Sequence, residues 1–126
     1  MKLVAGLLAA PIVAVAALAI AAPAPAQQNG PQAFAACKAC HTLNKGGRNG
    51  IGPNLSGLFT RAPASAPGFN YSAAFKKAQL KWNDKSLDAF LAAPQKVVPG
   101  TRMPIATPDP AKRAAIIAYL KSETAK

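Results

Sequence analysis

The residues best suited to chemistry lie at five consecutive positions, Cys37-Lys38-Ala39-Cys40-His41. Two thiols separated by two residues and followed at once by an imidazole form the C-x-x-C-H pattern of covalent haem attachment. The spacing matters because one helical turn places both sulfurs at one edge of the porphyrin, where they can add to its vinyl groups. His41 then lies under the iron and supplies an imidazole nitrogen as an axial ligand. The pattern predicts one haem c attached through Cys37 and Cys40.

Three other kinds of site use similar residues and stay open at this level. A zinc site needs about four ligands, but the chain has two Cys and one His, so the set ends at three. A thioredoxin-like redox pair belongs to a βαβ unit, and the sequence shows no such pattern. A structural disulfide is usual for two Cys in an exported chain, although here the spacing is tight and His41 follows directly.

An iron held by one imidazole has a sixth position, and Met103 is the candidate ligand for it. A single Met is otherwise most often a core residue. Met103 lies 62 positions beyond His41, in a loop stiffened by Pro99 and Pro104, so the chain can wrap around the ring and approach its opposite face. A thioether ligand favours reduced iron and raises the potential. The sequence therefore predicts His41 and Met103 as the two metal ligands.

Short helices must position these residues. The predicted helices cover residues 30–38, 73–77, a segment ending at Pro94, and about 110–121. Ser72 caps the second helix, Asn83 or Asp84 caps the third, and Asp109 caps the last, with Pro at its first helical position. Leu87, Phe90 and Leu91 fall on one face of the third helix.

Two long loops separate these helices. We refer to residues 42–67 as the first long loop and to residues 95–108 as the second long loop, since both are rich in Gly and Pro. No convincing strand alternation occurs, so the chain is predicted to be all-α. An irregular stretch of 26 residues is uncommon in a domain that is held together by a hydrophobic core alone. Because few large apolar residues remain to hold about 100 residues, a bound group that fills the centre would resolve the deficit.

The first 26 residues have the features of a secretory signal peptide. Lys2 precedes a mostly apolar run, residues 3–20, and Ala24-Pro25-Ala26 offers a small-x-small cleavage site. An uncleaved membrane anchor is the alternative, since about 18 residues is near the lower limit for a span. We expect cleavage, which leaves residues 27–126 as one periplasmic domain and lowers the net charge from +11 to +10.

Composition excludes several classes. Length supports a single domain, too short for a Rossmann or barrel enzyme with a separate substrate domain. Twelve Pro and nine Gly argue against a continuous helical bundle, and two Cys cannot form a multi-disulfide scaffold. A high positive charge is typical of nucleic-acid binding or of docking to acidic proteins. Export and the dispersed basic residues favour the second.

Further motifs accompany the haem motif in a familiar order. They are Gly30-x-x-x-Phe34; Thr42-Leu43; Gly52-Pro53-Asn54-Leu55-x-Gly57-Leu58-Phe59; Pro67-Gly68-Phe69-x-Tyr71-Ser72; Pro99-Gly100-Thr101-x-Met103; and Ile117-Ala118-Tyr119-Leu120-Lys121. On these residues the chain resembles class I cytochrome c, the small soluble His/Met electron carriers, over about residues 30–121. The resemblance implies the all-α cytochrome c fold, in which short helices and long loops wrap around one covalently bound haem.

The resemblance also assigns roles to further side chains. The Pro53 carbonyl accepts the second ring N–H of His41, which fixes the ring and strengthens its donation. Tyr71 and Trp82 donate to a buried haem propionate, and Arg61 compensates its charge, because a buried carboxylate without partners is costly. Thr101 is expected to bond a propionate too.

Three more expectations concern packing around the haem. Gly30 and Phe34 on the first helix are expected to cross the last helix at Tyr119. Phe90 stands where many relatives carry a Tyr that touches the ligand sulfur, so that bond is absent here. Phe75 stands where an Asn is frequent, which dries the floor of the pocket.

The implied function is one-electron transfer without a substrate, so the chain is not expected to be an enzyme. A basic rim of Lys38, Lys45, Lys96 and Arg102 is expected to flank the haem edge. The expected partners are acidic membrane redox complexes (an oxidase, a bc-type complex or a reaction centre), met by a monomer that binds no nucleic acid. Two alternatives are a membrane-anchored shuttle and a haem protein with an open sixth site, such as a peroxidase or gas binder.

Overall fold

The computed structural model describes residues 28–126. Its helices are α1 (Gly30–Ala33), a 3-10 helix (Ala35–Ala39), α2 (Ala73–Lys77), α3 (Asp84–Ala92), α4 (Pro94–Val97) and α5 (Pro110–Thr124). No strand occurs in this range, and the prediction of an all-α fold with short helices and long loops is confirmed. The predicted signal peptide, residues 1–26, lies outside the described residues.

The predicted N-caps are in place. The Ser72 hydroxyl accepts the backbone N–H of the third residue of α2 at 3.1 Å. Asn83, rather than Asp84, caps α3: its side chain accepts the Ser86 N–H (2.9 Å), and the Ser86 hydroxyl accepts the Asn83 N–H (3.0 Å). Asp109 accepts the N–H two residues later at 2.9 Å. Each cap satisfies a backbone donor that the helix itself leaves unpaired.

The first predicted helix and the segment at Pro94 differ from the prediction in outline. The first predicted helix is divided at Phe34, where the chain tightens into the 3-10 helix and the Cys37 N–H bonds to Phe34 O at 2.9 Å. Pro94 does follow the end of α3, but it also begins α4, so the prediction that residues 95–97 belong to a loop is wrong. A proline at the first helical position needs no N–H partner, so it suits a start as well as a stop.

The last helix continues to Thr124, beyond the predicted end at residue 121. The Thr124 hydroxyl is buried and donates to Leu120 O at 2.7 Å. The Thr124 carbonyl accepts the Gly57 N–H from the first long loop at 3.0 Å. Because the Gly57 contact comes from a distant loop, the helix period alone does not reveal it.

The first and last helices cross at Gly30 and Tyr119, as predicted. A Cβ on Gly30 would lie 2.6 Å from the Tyr119 Cβ, so only glycine permits this approach. The Phe34 and Tyr119 rings pack with centroids 5.6 Å apart. The buried core consists of Ala33, Phe34, Leu58, Trp82, Leu87, Phe90, Leu91, Val98, Ile116, Ile117 and Leu120. Burial stabilises the fold by roughly 1.5–3 kcal/mol for each large side chain.

Side-chain amides organise the first long loop from within. The Asn54 amide nitrogen donates to the Thr42 hydroxyl (2.8 Å) and to Asn44 O (2.9 Å). The Asn49 side chain accepts the Asn54 N–H (2.8 Å) and donates to Pro67 O (2.9 Å), so it spans the loop. These bonds give the irregular backbone partners that a helix would otherwise supply. The loop therefore has its own scaffold in addition to whatever fills the central cavity.

Candidate haem site

One cavity of about 430 Å³ lies between the helices and the two long loops, within the usual range for ligand sites. All nine predicted site residues line it: Cys37, Cys40, His41, Pro53, Arg61, Tyr71, Trp82, Thr101 and Met103. They come from segments far apart in sequence, so the fold, rather than local proximity, brings them together. Their individual roles toward a haem stay predictions.

The 3-10 helix places both thiols on the cavity wall. The N–H groups of Cys40 and His41 both bond to Cys37 O, at 3.1 and 3.0 Å, which closes a tight turn around the motif. Both thiols are half-buried. Burial raises the pKa of the Cys37 thiol, and the Lys112 cation acts in the opposite direction. The turn therefore brings both cysteines to the wall of one cavity.

His41 is oriented by the backbone that follows it. Its Nδ1 donates to Pro53 O at 2.8 Å, which leaves Nε2 as the free nitrogen. Burial lowers the pKa of His41, although the Pro53 hydrogen bond acts in the opposite direction. A neutral imidazole with one nitrogen fixed and the other free is the form that binds a metal.

Gly52 packs directly against the His41 ring. A Cβ at this position would lie 2.8 Å from both ring nitrogens, so any side chain here would displace the ring. The Gly52 N–H also bonds to Cys40 O at 2.9 Å, so the segment is tied to the haem motif. Sequence reasoning placed Gly52 in a motif but gave it no role. The signal was its position immediately before Pro53.

Met103 is held by the residues around it in the second long loop. Its N–H donates to the Thr101 hydroxyl at 3.3 Å, and Thr101 is buried. The Gln95 side chain donates to Thr101 O at 2.8 Å, and Arg102 reaches across to Asn70 O at 2.8 Å. Thr101 therefore fixes the backbone of Met103.

Aromatic rings form one wall of the cavity. The Phe75 ring packs against Tyr71 (centroids 5.5 Å apart), Trp82 (6.2 Å) and Phe90 (5.9 Å). The Tyr71 hydroxyl accepts the Ala66 N–H at 3.1 Å, so its own O–H hydrogen is left for another acceptor. Phe75 and Phe90 bring no polar atom to this wall, which fits the expected dry pocket floor.

Arg61 makes loop contacts in addition to its predicted role of compensating the charge of a propionate. Its guanidinium lines the cavity and donates to Ser56 O (3.0 Å), Asn54 O (2.8 Å) and the Ser65 hydroxyl (3.1 Å). These contacts fasten the first long loop. A guanidinium has five N–H donors, so the predicted charge compensation and the loop contacts are compatible.

Lys112 is a cavity residue that sequence reasoning missed. It lines the cavity and lies near enough to lower the pKa of Cys37. It stands in the first turn of α5, where no acidic residue is present and where the helix dipole disfavours a cation. A cation in the first turn of a predicted helix is unfavourable, and this feature of the sequence could have singled out Lys112.

The donor set fits a covalently attached haem: two thiols, an imidazole with a free nitrogen and a thioether on one largely apolar cavity. Comparison with known proteins agrees. The family model described as cytochrome c matches residues 27–124. The chain belongs to the cytochrome c family.

Individual relatives match most of their own length. Cytochrome c2 iso-2 of Magnetospirillum fulvum is 44% identical over 93 residues, which is 73% of this chain and 96% of that relative. Cytochrome c of Sesamum indicum is 44% identical over 90 residues, or 71% and 81% of the two chains. The solved structure of cytochrome cH from Methylobacterium extorquens superimposes with a TM-score of 0.68 at 45% identity and covers 74% of this chain and 94% of that one.

These findings establish a class I c-type cytochrome with the cytochrome c fold and one haem c, attached through Cys37 and Cys40. Its function is electron transport. The two alternatives, an anchored shuttle and an open sixth site, gain no support from the relatives. Between residues 28 and 126, no helix is long and apolar enough to cross a membrane.

Proposed function

We propose that this cytochrome is an exported one-electron carrier, not an enzyme, whose iron is held between His41 Nε2 and the Met103 sulfur. The haem, when bound, supplies an iron that takes up and releases one electron. The observation that carries the proposal is that His41 and Met103 line one cavity while Pro53 O takes the Nδ1 hydrogen at 2.8 Å. Only Nε2 then remains for the metal.

The chain's own contribution is a dry, firmly held cavity. Leu58, Leu91, Ile116 and Leu120 line the cavity and are buried. Such a lining excludes water, so a change of charge at the centre reorganises little of its surroundings. The Pro53 carbonyl fixes the imidazole plane, and the Thr101 hydroxyl fixes the backbone at Met103. Electron transfer benefits because neither ligand has to move between the two oxidation states.

The ligand assignment is tested by Met103→Ala in the holoprotein. Oxidised wild type is expected to show the near-red absorption band of Met-to-iron charge transfer, and the variant is expected to lose it and to have a lower reduction potential. Val97→Ala is a control, since Val97 lies six positions before Met103 but does not line the cavity. Wild-type protein without the band at neutral pH would contradict the assignment.

The charge distribution supports docking to an acidic partner. The predicted rim residues Lys38, Lys45, Lys96 and Arg102 are all exposed. No Asp or Glu occurs before position 84, and the ion-paired carboxylates all belong to α3 and α5. We therefore propose an acidic membrane redox complex as partner, an oxidase, a bc-type complex or a reaction centre, with fast and weak association by a monomer.

Salt dependence tests this docking. Electron-transfer rates to an isolated acidic complex should fall as ionic strength rises, because exposed charges are screened within about 10 Å at 0.1 M salt. Replacing Lys38 and Lys96 by Gln should lower the rate and flatten the salt dependence, whereas the same change at Lys126, paired with Glu123 at 2.8 Å, should do neither. A rate that is insensitive to salt would contradict the proposed partner chemistry.

Export and cleavage are proposed from the first 26 residues. Mass spectrometry of the native N-terminus decides between the two forms: a chain that begins at Gln27 is free of the segment, and one that begins at Met1 retains it as an anchor. The first result supports a periplasmic carrier, and the second contradicts it.

A further inference from the structure

The segment that follows Met103 has little backbone bonding of its own. Two of the five residues at 104–108 are prolines and have no N–H to donate. In this part of the described chain, the segment makes one backbone–backbone hydrogen bond, from the Thr107 N–H to Leu91 O at 2.7 Å. Its position therefore depends on side chains that reach it from elsewhere.

Arg113 is the side chain that reaches this segment. Its Nη1 donates to Thr107 O (3.0 Å) and to Pro108 O (2.8 Å), so one nitrogen holds two consecutive carbonyls. Its Nε donates to Asp88 Oδ1 at 2.7 Å. Arg113 belongs to α5 and Asp88 to α3, so the guanidinium joins both helices to the segment.

The Asp88 carboxylate determines where this guanidinium lies. The Arg113 side chain is only 13% exposed, whereas that of Asp88 is 44% exposed. Charge-assisted hydrogen bonds are roughly twice as strong as neutral ones. A largely buried cation without its counter-charge would be drawn toward water, and its bonds to the two carbonyls would weaken. The segment would then lose most of what holds it.

We propose that Asp88 and Arg113 are positioning residues that keep Met103 on the iron by holding the segment at 104–108. The proposal rests on the proposed assignment of Met103 as ligand. The neighbouring α3 residues Phe90 and Leu91 line the cavity, so the pair fastens the ligand loop to the wall against which it closes. Without the pair, the loop opens more often, and an external ligand reaches the iron faster.

Cyanide binding to the oxidised holoprotein, followed by stopped-flow absorbance, tests the proposal. Asp88→Asn should accelerate binding by roughly tenfold or more, the factor that loss of one charge-assisted bond represents. Asp84→Asn is the matched control. Asp84 is also an α3 carboxylate paired with an α5 cation, Lys121 at 3.0 Å, but both side chains are more than half exposed. Its removal should change the rate by less than about twofold.

Amide hydrogen exchange shows whether the effect is local. In Asp88→Asn, exchange of the Thr107 N–H should rise while that of Ile117, buried in the core of α5, stays at the wild-type rate. Arg113→Lys is a second variant that retains the charge. A single ammonium cannot reproduce the planar fork that serves Asp88 and both carbonyls, so it should act in the same direction.

Two results would overturn the proposal. One is equal cyanide rates in Asp88→Asn, Arg113→Lys and Asp84→Asn. The other is an equal rise in exchange at Thr107 and Ile117, which would mean a general loss of stability. Failure of the ligand assignment looks different: wild type would already bind cyanide as fast as Met103→Ala.

Discussion

Gly52 and His41 are in direct contact, with the Gly52 backbone packed against the His41 ring. Any Cβ on Gly52 would lie 2.8 Å from both ring nitrogens. Together with the bond from Nδ1 to Pro53 O, this contact defines the plane of the imidazole from two sides. Ligand geometry is thus built into the backbone of residues 52 and 53.

Replacing Gly52 by Ala should displace the His41 ring. The expected cost is about 1–3 kcal/mol of unfolding free energy, as for overpacking elsewhere, with a lower haem content in the purified protein. Thermal unfolding and a pyridine haemochrome assay measure these quantities. Gly46→Asn is a suitable control, because Gly46 has φ +72° and no atom near its Cβ position, and Asn tolerates that conformation. Equal haem content in Gly52→Ala and Gly46→Asn would contradict the proposed contact.

Removing the Asn49 side chain should loosen the first long loop. Asn49→Ala loses both the bond to the Asn54 N–H and the bond to Pro67 O. At about 1 kcal/mol each, the loss should be roughly 2 kcal/mol, measured by denaturant unfolding. Asn44→Ala should cost less, since Asn44 offers its backbone oxygen to the network. A larger loss in the Asn44 variant would show that Asn49 does not bridge the loop.

Replacing Ala64 by Gly should stabilise the protein. Ala64 has φ 58° and is the one non-glycine residue with positive φ in the described range. The left-handed conformation costs about 1–2 kcal/mol, whereas glycine adds about 0.5–1 kcal/mol of chain entropy, so a gain of roughly 0.5–1 kcal/mol is expected. The same change at Ala62 serves as control and should not stabilise. A lower melting temperature for Ala64→Gly would refute the strain.

Stability should decline as the pH falls from 7 to 5.5. Burial, which lowers the pKa of His41 below its ordinary value of 6.5, and the proposed ligation of Nε2 both keep the folded ring neutral, so an unfolded chain whose ring has left the iron takes up a proton that the folded chain refuses. Stability from the neutral ring is present above the unfolded pKa and is lost as the pH falls toward the folded pKa. His41 is the only His, and carboxylates titrate mainly near pH 4. Denaturant unfolding that is flat across this window would contradict the shift.

Local chemistry made part of the structure predictable. Cys37, Cys40 and His41 are adjacent in sequence, and Ser72 and Asp109 cap helices through residues two or three positions away. The role of Asn49 was not predictable, because its partners are distant backbone atoms that carry no sequence signature. The same holds for Arg113, whose acceptors lie in a loop and in another helix. Gly52 falls between these cases. The role of the adjacent Pro53 was predicted, but the contact between Gly52 and the His41 ring was not.

The crossing of α1 and α5 joins Gly30 to Tyr119, about 90 positions apart in sequence. A helix of four residues such as α1 is not stable alone in water. It therefore becomes stable only when it packs against α5. Closing a circuit of this length costs entropy that grows only slowly with chain length. In a nascent or truncated chain without α5, the helical turn that precedes Cys37 would therefore lack its packing partner. Substitutions or deletions near the carboxyl terminus would in this way destabilise the amino-terminal helix.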